Sequence, residues 1–457
     1  MGDRLSRRDF LLYSAAGASA LVAGKWLLGD ETAAPPSASG PATGPARRPN
    51  IIFILADDLG YGDVGCFGQK LIKTPNLDRM AADGTRFTQA YCGTSVCAPS
   101  RCSLMTGLHM GHAPIRGNRE LKPEGQMPLP AGSYTVAQLL KDAGYDTACI
   151  GKWGLGFFGG TGDPNRNGFD LFFGYNCQKR AHNYYPDYLW RNDRKVPLDG
   201  KTYSHDLMTK EALEWVGGRK EKPFFLYLAY TIPHTTLTVP ELGEYADKDW
   251  KDDEKAYAAM VTRMDRDIGS LLDLLKKKGL ERDTIVFFAS DNGPMKGEGV
   301  FNSAAGLRGA KRGMGEGSLR TPMIVRWSGH VPEGKVRDEP WAFWDFLPTC
   351  AELAGAKVPA KVPVDGISVA QALQGKAMPQ RECFYWELHE GPCKQAVRFG
   401  DWKAERSKPG EPLALYDLAA DPREKSNLAG KKPDVVARAD ELMRKSRTES
   451  PDWPLDK

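Results

Sequence analysis

Two pairs of oxygen-bearing side chains each follow an apolar segment of the chain. Asp57 and Asp58 follow one such segment, and Asp291 and Asn292 follow another much later in the chain. Carboxylate and amide oxygens are hard ligands of the kind that calcium and magnesium prefer. Taken singly, each pair is better explained as a turn that leaves a strand. Two such pairs in equivalent places favour a metal site.

Cationic side chains occupy comparable places in the sequence. These are Arg101, Lys152, His234 and Lys311. Alone, each is more simply explained as a solvated surface charge or, for His234, as a packed loop residue. Beside a divalent cation, however, they suit a tetrahedral oxyanion, because arginine offers a planar fork of donors and lysine a point charge.

A single cysteine lies in the segment SVCAPSR, residues 95–101. Pro99 fits the first turn of a short helix running to about Met105, which places Cys97 at a helix N-terminus that favours an anion. A thiolate nucleophile would be activated there. A soft thiolate matches a hard cation poorly, so oxygen chemistry would fit better. A disulfide, a metal ligand, a nucleophile and a site of covalent modification remain open.

The other cysteines do not form a recognisable framework. The chain has nine, which is few for 457 residues, and the odd number leaves at least one unpaired. The spacing of Cys92, Cys97 and Cys102 matches neither zinc-binding pairs nor ferredoxin runs. A cysteine metal cluster is therefore not expected.

Apolar strands alternate with helical patterns over most of the chain. This alternation predicts an α/β fold with a largely parallel sheet covered on both faces. Ligands bind beyond the carboxyl ends of the strands in such sheets, so the polar groups should converge on one edge. The predicted strands are 50–56, 147–150, 224–230 and 284–289, and the predicted helices are 75–84, 99–105, 136–143 and 254–278.

The last part of the chain has a different pattern. After about Met378, short alternating stretches are separated by turn residues and followed by a helix over 433–447. This indicates a small antiparallel sheet with one helix. We therefore expect a catalytic domain over 49–377 and a C-terminal subdomain over 378–457.

The first 48 residues predict export rather than a folded element. Arg7 and Arg8 precede a short apolar run that contains small residues, which is typical of a twin-arginine signal, although a retained membrane anchor is the alternative. Residues 31–48 are rich in Pro, Ala and Gly and predict a flexible tether. The predicted location is periplasmic or extracellular. A formal net charge of +4 gives no global signature of a nucleic-acid partner.

The segment around Cys97 resembles a known family signature. Cys97-Ala98-Pro99-Ser100-Arg101 followed by Thr106-Gly107 is similar to the C-x-P-S-R-x-x-x-x-T-G motif of the type I, formylglycine-dependent sulfatases of the alkaline phosphatase superfamily. The resemblance is to their arylsulfatase A-like members, and it spans nearly the whole chain after residue 48. Further similar segments are ADDLGYGDVG (56–65), TPNLDRMAADGTRF (74–87), GYDTACIGKW (144–153), KPFFLYLAYTIPH (222–234), FFASDNGP (287–294), LRGAKRGMGEGSLRTP (307–322) and LYDLAADPREKSNL (415–428).

The resemblance implies a fold, a cofactor and residue roles. The implied fold is an alkaline phosphatase-like α/β/α sandwich. Cys97 would be oxidised by a formylglycine-generating enzyme, and the hydrated aldehyde would attack sulfur through one hydroxyl and expel sulfate through the other. Arg101 and Lys152 would hold the diol and the sulfate, while His234 and Lys311 would contact sulfate and assist the leaving oxygen. The implied ligands of Ca²⁺, with Mg²⁺ the lesser alternative, are Asp57, Asp58, Asp291, Asn292 and the modified Cys97.

One position departs from the family pattern. The family usually reads G-K-W-H-L-G where this chain has Gly154 in place of the histidine. Glycine cannot transfer a proton. Either His182 or another group fills the gap, or water serves the second half-reaction, or the protein is slow or inactive.

Substrate recognition is predicted from aromatic and hydrogen-bonding groups of the sort that line sugar sites, although core packing and loop capping explain each residue equally well. The resemblance is to sulfatases acting on carbohydrates, with galactose or N-acetylgalactosamine sulfates as the expected substrates. A phosphate or phosphonate ester hydrolase and a non-catalytic protein that binds sulfated glycans are the alternatives. The candidate substrate residues are Gln178, His182, Trp386, Glu387 and His389.

Overall fold

A computed structural model describes residues 48–455 of the chain. The predicted export signal and all but the last residue of the predicted tether lie outside these residues. Within them, we find no helix that is both long and apolar enough to cross a bilayer.

The described residues contain a ten-stranded sheet, a four-stranded sheet and two short two-stranded pairs. The strands are β1 (Asn50–Ala56), β2 (Thr85–Phe87), β3 (Ala90–Tyr91), β4 (Glu120–Leu121), β5 (Gly125–Gln126), β6 (Asp146–Lys152), β7 (Leu171–Tyr175), β8 (Tyr188–Arg191), β9 (Arg194–Pro197), β10 (Phe224–Ala229), β11 (Thr284–Ser290), β12 (Met323–Arg326), β13 (Lys335–Arg337), β14 (Trp341–Ala342), β15 (Phe384–Leu388), β16 (Lys394–Phe399), β17 (Trp402–Arg406) and β18 (Ala414–Asp417).

The centre of the large sheet is parallel, whereas its flanks include antiparallel pairs. The strand order is β13-β2-β12-β11-β1-β10-β6-β7-β8-β9. The strands from β11 to β7 are mutually parallel, with Ile51 of β1 in register with both Phe225 and Ile285. Antiparallel pairing begins where β12 meets β11 on one side and where β8 meets β7 on the other. The prediction of a largely parallel sheet is therefore confirmed for the part that carries the polar clusters.

Helices cover both faces of this sheet, because its central strands are apolar on both sides. Alternate residues of β1 belong to different cores: Ile52 and Ile54 pack with α1, α4 and α5, whereas Phe53 packs with α2, α3 and α7. The helices are α1 (Pro75–Ala82), α2 (Cys97–Thr106), α3 (Val136–Asp142), α4 (Ser204–Gly217), α5 (Asp252–Lys277), α6 (Glu316–Leu319), α7 (Phe346–Leu353), α8 (Ala370–Leu373) and α9 (Pro433–Lys445).

The C-terminal strands form the predicted antiparallel sheet, in the order β15-β16-β17-β18. One face holds Tyr385, Val397 and Leu415 against α9. From the other face, Phe384 and Trp386 enter the core shared with α2 and α7. The described residues all belong to one compact unit. The sheet is thus anchored to the larger body by buried side chains.

Candidate active site

The polar groups predicted to converge do lie together at one edge of the large sheet. Asp57 and Asp58 follow β1, Lys152 ends β6, and Asp291 follows β11. Because these parallel strands share one edge, their last residues become neighbours although they are far apart in sequence. We call the charged residues of this edge the site cluster, which consists of Asp57, Asp58, Arg101, Lys152, Asp291 and Lys311.

Cys97 is the first residue of α2 and lies against this cluster. Its thiol donates to Asp57 Oδ1 at 3.4 Å, and Lys311 Nζ donates to its sulfur at 3.4 Å. Burial and the Asp57 carboxylate raise the pKa of Cys97, although Lys152 and Lys311 oppose that shift. The unmodified side chain is therefore a neutral thiol between a carboxylate and an ammonium, which does not favour a thiolate nucleophile.

Arg101 lies behind the carboxylates and is fully buried. Its Nε and Nη2 donate to Asp291 Oδ2 at 3.1 and 2.8 Å, and its Nη1 donates to the carbonyl oxygen of Lys152 at 2.6 Å. Nη2 also lies 3.3 Å from Asp57 Oδ2. The guanidinium therefore holds two carboxylates in place. Its predicted contact with sulfate stays a prediction.

The two lysines each neutralise one of the consecutive aspartates. Lys152 Nζ donates to Asp57 Oδ2 at 2.5 Å. Burial works against ionisation, yet the cations Lys152, Arg101 and Lys311 together hold the pKa of Asp57 well below its usual range. Asp58 has a left-handed φ of 64°, which aspartate tolerates better than most residues. Lys311 Nζ donates to both of its carboxylate oxygens, at 2.6 and 2.7 Å.

The site cluster has the donor set of a hard divalent cation. Ligand atoms of Asp57, Asp58, Cys97 and His234 all lie within 4.8 Å of one another. Asn292 donates through Nδ2 to Asp58 Oδ1 at 2.7 Å, while its Oδ1 is buried and has no hydrogen-bond partner within the described part of the chain. An orphaned buried carbonyl oxygen beside two carboxylates fits a calcium or magnesium ligand.

His234 is tied to Lys311 through its ring. Lys311 Nζ lies 3.1 Å from Nε2, and Nδ1 lies 2.5 Å from the carbonyl oxygen of Thr235. Because a carbonyl oxygen only accepts, the neutral ring carries its proton on Nδ1 and accepts from Lys311 through Nε2. The His182 ring stacks on this ring with centroids 4.2 Å apart. Burial, aided by Lys152, lowers the pKa of His182 to about 4, so that ring is neutral at pH 7.

A cavity of about 460 Å³ opens above Cys97. Two of the predicted substrate residues, Gln178 and His182, lie in its wall. The sequence prediction missed several polar neighbours there, including Lys179 and Arg312, because lone charges in loops carry no periodic signal. The lining residues are Cys97, Asn118, Glu120, Gln126, Gln178, Lys179, His182, His234, Thr235, Met295, Lys311 and Arg312.

The other three predicted substrate residues are not brought to this cavity. Trp386 is fully buried and donates through Nε1 to the carbonyl oxygen of Cys92. Glu387 is equally buried and forms ion pairs with Arg116 and Arg447. His389 Nε2 lies 3.0 Å from Glu387 Oε1. The aromatic and polar pattern of this segment thus serves packing and buried ion pairing.

The residue that follows them in the chain does reach the cavity wall. Glu390 accepts from Asn118 Nδ2 at 2.8 Å and from Arg312 Nε at 2.7 Å. Asn118 in turn accepts, through Oδ1, from the backbone N–H of Ala98 in the first turn of α2. The C-terminal sheet therefore supports the wall beside Cys97 indirectly.

Comparison with known proteins gives consistent matches. Residues 49–356 match the Sulfatase family model, and residues 309–449 match the model described as N-sulphoglucosamine sulphohydrolase, C-terminal. The chain is 33% identical to arylsulfatase A of Homo sapiens over 467 aligned residues, which cover 87% of each protein. It is 32% identical to N-acetylgalactosamine-6-sulfatase of Canis lupus familiaris, over 79% of this chain and 72% of that protein.

Among solved structures, one similar chain is Ps i-CgsB in complex with k-i-k-neocarrahexaose. Its TM-score is 0.80 at 32% identity, and the match covers 90% of this chain and 96% of the other. The expected fold, an alkaline phosphatase-like α/β/α sandwich with a small C-terminal antiparallel sheet, is confirmed.

Proposed function

Because the chain belongs to the sulfatase family, which comprises sulfuric ester hydrolases, we propose that it releases sulfate from a sulfated carbohydrate. We further propose that it does so through a formylglycine made from Cys97 and with a bound calcium ion. The observation that carries this proposal is the position of Cys97, whose sulfur lies between Asp57 and Lys311 at the floor of the cavity.

Modification of Cys97 resolves the mismatch between a soft sulfur and a hard cation. As a hydrated aldehyde, the residue would supply a hydroxyl that attacks the sulfur atom of the ester. The neutral, buried thiol supports this reading, because a cysteine that acted directly would need a thiolate. Maturation would require a formylglycine-generating enzyme as a partner.

Asp57, Asp58, Asp291 and Asn292, with the modified residue 97, would hold the calcium ion. When bound, calcium supplies positive charge that polarises the sulfate ester. Arg101 and Lys152 keep the Asp57 carboxylate oriented through direct contacts, and Arg101 does the same for Asp291. These two cations thus partly neutralise the negative charge of the closely spaced carboxylates that would bind the divalent ion.

Lys311 and His234 lie in the cavity wall with Cys97, where negative charge would develop during the reaction. Although burial disfavours its charged form, the Asp58 and Asp57 carboxylates raise the pKa of Lys311, so it stays protonated. Its ammonium stabilises a sulfuryl oxygen by charge. Lys311 Nζ, which also donates to His234 Nε2, can donate a hydrogen bond to the leaving alcohol oxygen and so stabilise its developing charge.

A carbohydrate substrate is supported by the relatives and by the cavity wall. One relative is named for N-acetylgalactosamine and one similar structure holds an oligosaccharide. Asn118 and Gln126 contribute amides to the cavity wall, and amides pair well with sugar hydroxyls. We propose a galactose or N-acetylgalactosamine sulfate. The twin-arginine signature supports export by that machinery to the periplasm or beyond.

The decisive experiment measures free sulfate released from sulfated mono- and oligosaccharides by protein matured in a host with the modifying enzyme. Cys97→Ala should abolish release. Cys102→Ala is the matched control, because this buried thiol lies in the same helix but outside the cavity wall described above. Release of phosphate or phosphonate instead, or glycan binding without turnover while mass spectrometry shows the aldehyde, would replace the proposal with the corresponding alternative.

A further inference from the structure

The side chain of Gln178 is buried in the cavity wall without any hydrogen bond. It is 8% exposed. Neither Nε2 nor Oε1 has a partner among the residues that the structure describes. An amide kept dry and unpaired is costly, so such groups are retained where a ligand supplies the missing partner. Gln178 shares the cavity wall with Cys97 and Lys311.

Gly154 makes the room that this amide occupies. Its backbone has φ +76°, and a Cβ added there would lie 2.2 Å from Gln178 Nε2 and 3.0 Å from Cδ. Any side chain at 154 would therefore displace the amide. Gly154 lies two residues after Lys152, whose ammonium contacts Asp57. Its own N–H donates to the carbonyl oxygen of Asn176 at 3.0 Å, which fixes the loop that carries Gln178.

We propose that Gln178 is a catalytic residue whose amide hydrogen-bonds to the sulfate group itself rather than to the sugar. This inference rests on the proposed function. Gln178 packs against Gly154, which lies two residues after Lys152 of the site cluster. This places Gln178 at the reacting end of the cavity. A sulfuryl oxygen only accepts, so the Nε2 protons supply the bond. An amide does not titrate, so it holds the sulfate group without exchanging a proton.

The first test compares two substrates that share only the sulfate ester. Gln178→Ala should lower kcat/KM about 100-fold for both a sulfated sugar and a simple aryl sulfate, because one donor to the developing charge is lost. A loss confined to the sugar would overturn the proposal in favour of sugar binding. Unchanged kcat/KM for both, with the aldehyde in place and the melting temperature retained, would also overturn it.

The coupling of the two positions supplies a second test. Gly154→Ala should reduce kcat/KM by a similar factor, and the double variant with Gln178→Ala should be no worse than either single variant. Gly159→Ala is the matched control, because Gly159 also has φ +76° but a Cβ there would meet nothing within 4 Å. Additive losses would show that Gly154 acts independently of Gln178 and contradict the proposal.

A readout that does not need turnover separates this inference from the proposed function. Inorganic sulfate is titrated into the calcium-loaded protein by calorimetry. Gln178→Ala should weaken sulfate binding about tenfold, which corresponds to the loss of one hydrogen bond to a charged group. Wild-type protein that binds sulfate in this way but hydrolyses no sulfate ester would refute the proposed function alone. Equal sulfate affinity in both proteins would refute the role of Gln178.

Discussion

Two buried clusters of charge lie in this molecule, and they differ in whether the unpaired polar atoms beside them line the cavity above Cys97. The anchor cluster joins the C-terminal sheet to the body and consists of Glu316, Lys403, Glu424, Arg308 and Arg320. Lys403 Nζ lies 2.9 Å from Glu316 and 3.0 Å from Glu424, and Arg308 Nη2 lies 2.9 Å from Glu424. Arg320 completes the cluster through Glu316. Each carboxylate in it has at least two cationic partners, and Arg308 Nε, which has no hydrogen-bond partner among the described residues, is not part of the wall of the cavity above Cys97.

The site cluster is as deeply buried but lies next to unused polar groups. Asn292 Oδ1 has no partner among the described residues, and neither does the amide of Gln178. A cavity opens onto the site cluster through Lys311. Buried charge alone therefore does not identify a functional site, since structural networks also bury charge. Unsatisfied polar atoms facing a cavity do distinguish the two.

The sharpest way to test this distinction is to remove one lysine from each cluster. Lys311→Met should reduce kcat/KM at least about 10³-fold, because a charge next to the developing oxyanion is lost. In the presence of calcium, the free energy of unfolding should fall less in Lys311→Met than in Lys403→Met, because the bound calcium still compensates the charge of Asp58. Sulfate release and urea denaturation measure the two effects. An active Lys311→Met enzyme would contradict its assignment.

Lys403→Met should have the opposite profile. Removing this ammonium leaves Glu316 and Glu424 short of a counter-charge, which costs about 3–5 kcal/mol of unfolding free energy. Activity per folded molecule should stay within about twofold, since Lys403 touches no group of the cavity wall described here. Lys408→Met is the control, because its ion pair with Glu411 is exposed and should contribute at most about 1 kcal/mol.

The sequence predicted the site cluster because strand ends in a parallel sheet are brought together by topology alone. Asp57, Lys152 and Asp291 could be placed on one edge from the alternation of apolar strands and helices. The short strands 384–388 and 414–417 were likewise predictable from alternation within a few residues. The flanking strands of the large sheet were not, because β2, β12 and β13 are too short to show a period.

Side-chain environment was harder to predict than position. Trp386 and Glu387 share a strand, and sequence cannot tell whether such a strand faces a cavity or a core. The space beside Gly154 could not be predicted either, because the side chain that fills it, Gln178, belongs to the loop that follows β7. Both cases depend on tertiary contacts that neither period nor composition encodes.

Acid should weaken the ion pairs through which Glu387 of the C-terminal sheet contacts Arg116 and Arg447. Despite burial, His389 and Arg116 lower the pKa of Glu387 to about 2 from a usual 4.5. A depressed carboxylate pKa stabilises the protein above pH 4.5, and that contribution is lost as pH falls toward 2. The expected loss is about 3 kcal/mol. Denaturation at a series of pH values measures it.

The matched control for acid is the exposed pair of Arg438 with Glu382. Glu382→Gln should leave the slope of stability against pH unchanged. Glu387→Gln should flatten that slope between pH 4.5 and 2, although the variant starts less stable because Arg116 and Arg447 lose their partner. A slope in Glu387→Gln equal to that of the wild-type protein would show that Glu387 does not contribute to the acid sensitivity.

Calcium should stabilise through the site cluster only. At a concentration about 100 times its Kd, it should add about 2.7 kcal/mol to the unfolding free energy of wild-type protein. Asn292→Ala removes the orphaned oxygen and should reduce this increment. Lys403→Met should keep the full increment, because the anchor cluster holds no ligand. Thermal unfolding with calcium or with a chelator tests all three proteins. An equal increment in Asn292→Ala would remove this residue from the metal site.

Among substitutions in the cavity wall, that of His182 should have the smallest effect on kcat/KM, although His182 is of the same residue type as the family histidine that is missing at Gly154. Its low pKa makes it neutral at pH 7, and its contact with the site is a ring stack on His234. Aromatic stacking contributes about 0.5–1.5 kcal/mol, so His182→Ala should lower kcat/KM about 2- to 10-fold. His182→Phe keeps the stack and should recover most of that loss. If His182→Phe were instead as impaired as Lys311→Met, the ring nitrogens of His182 would have to exchange a proton. His182 would then be the group that fills the place of the histidine missing at Gly154.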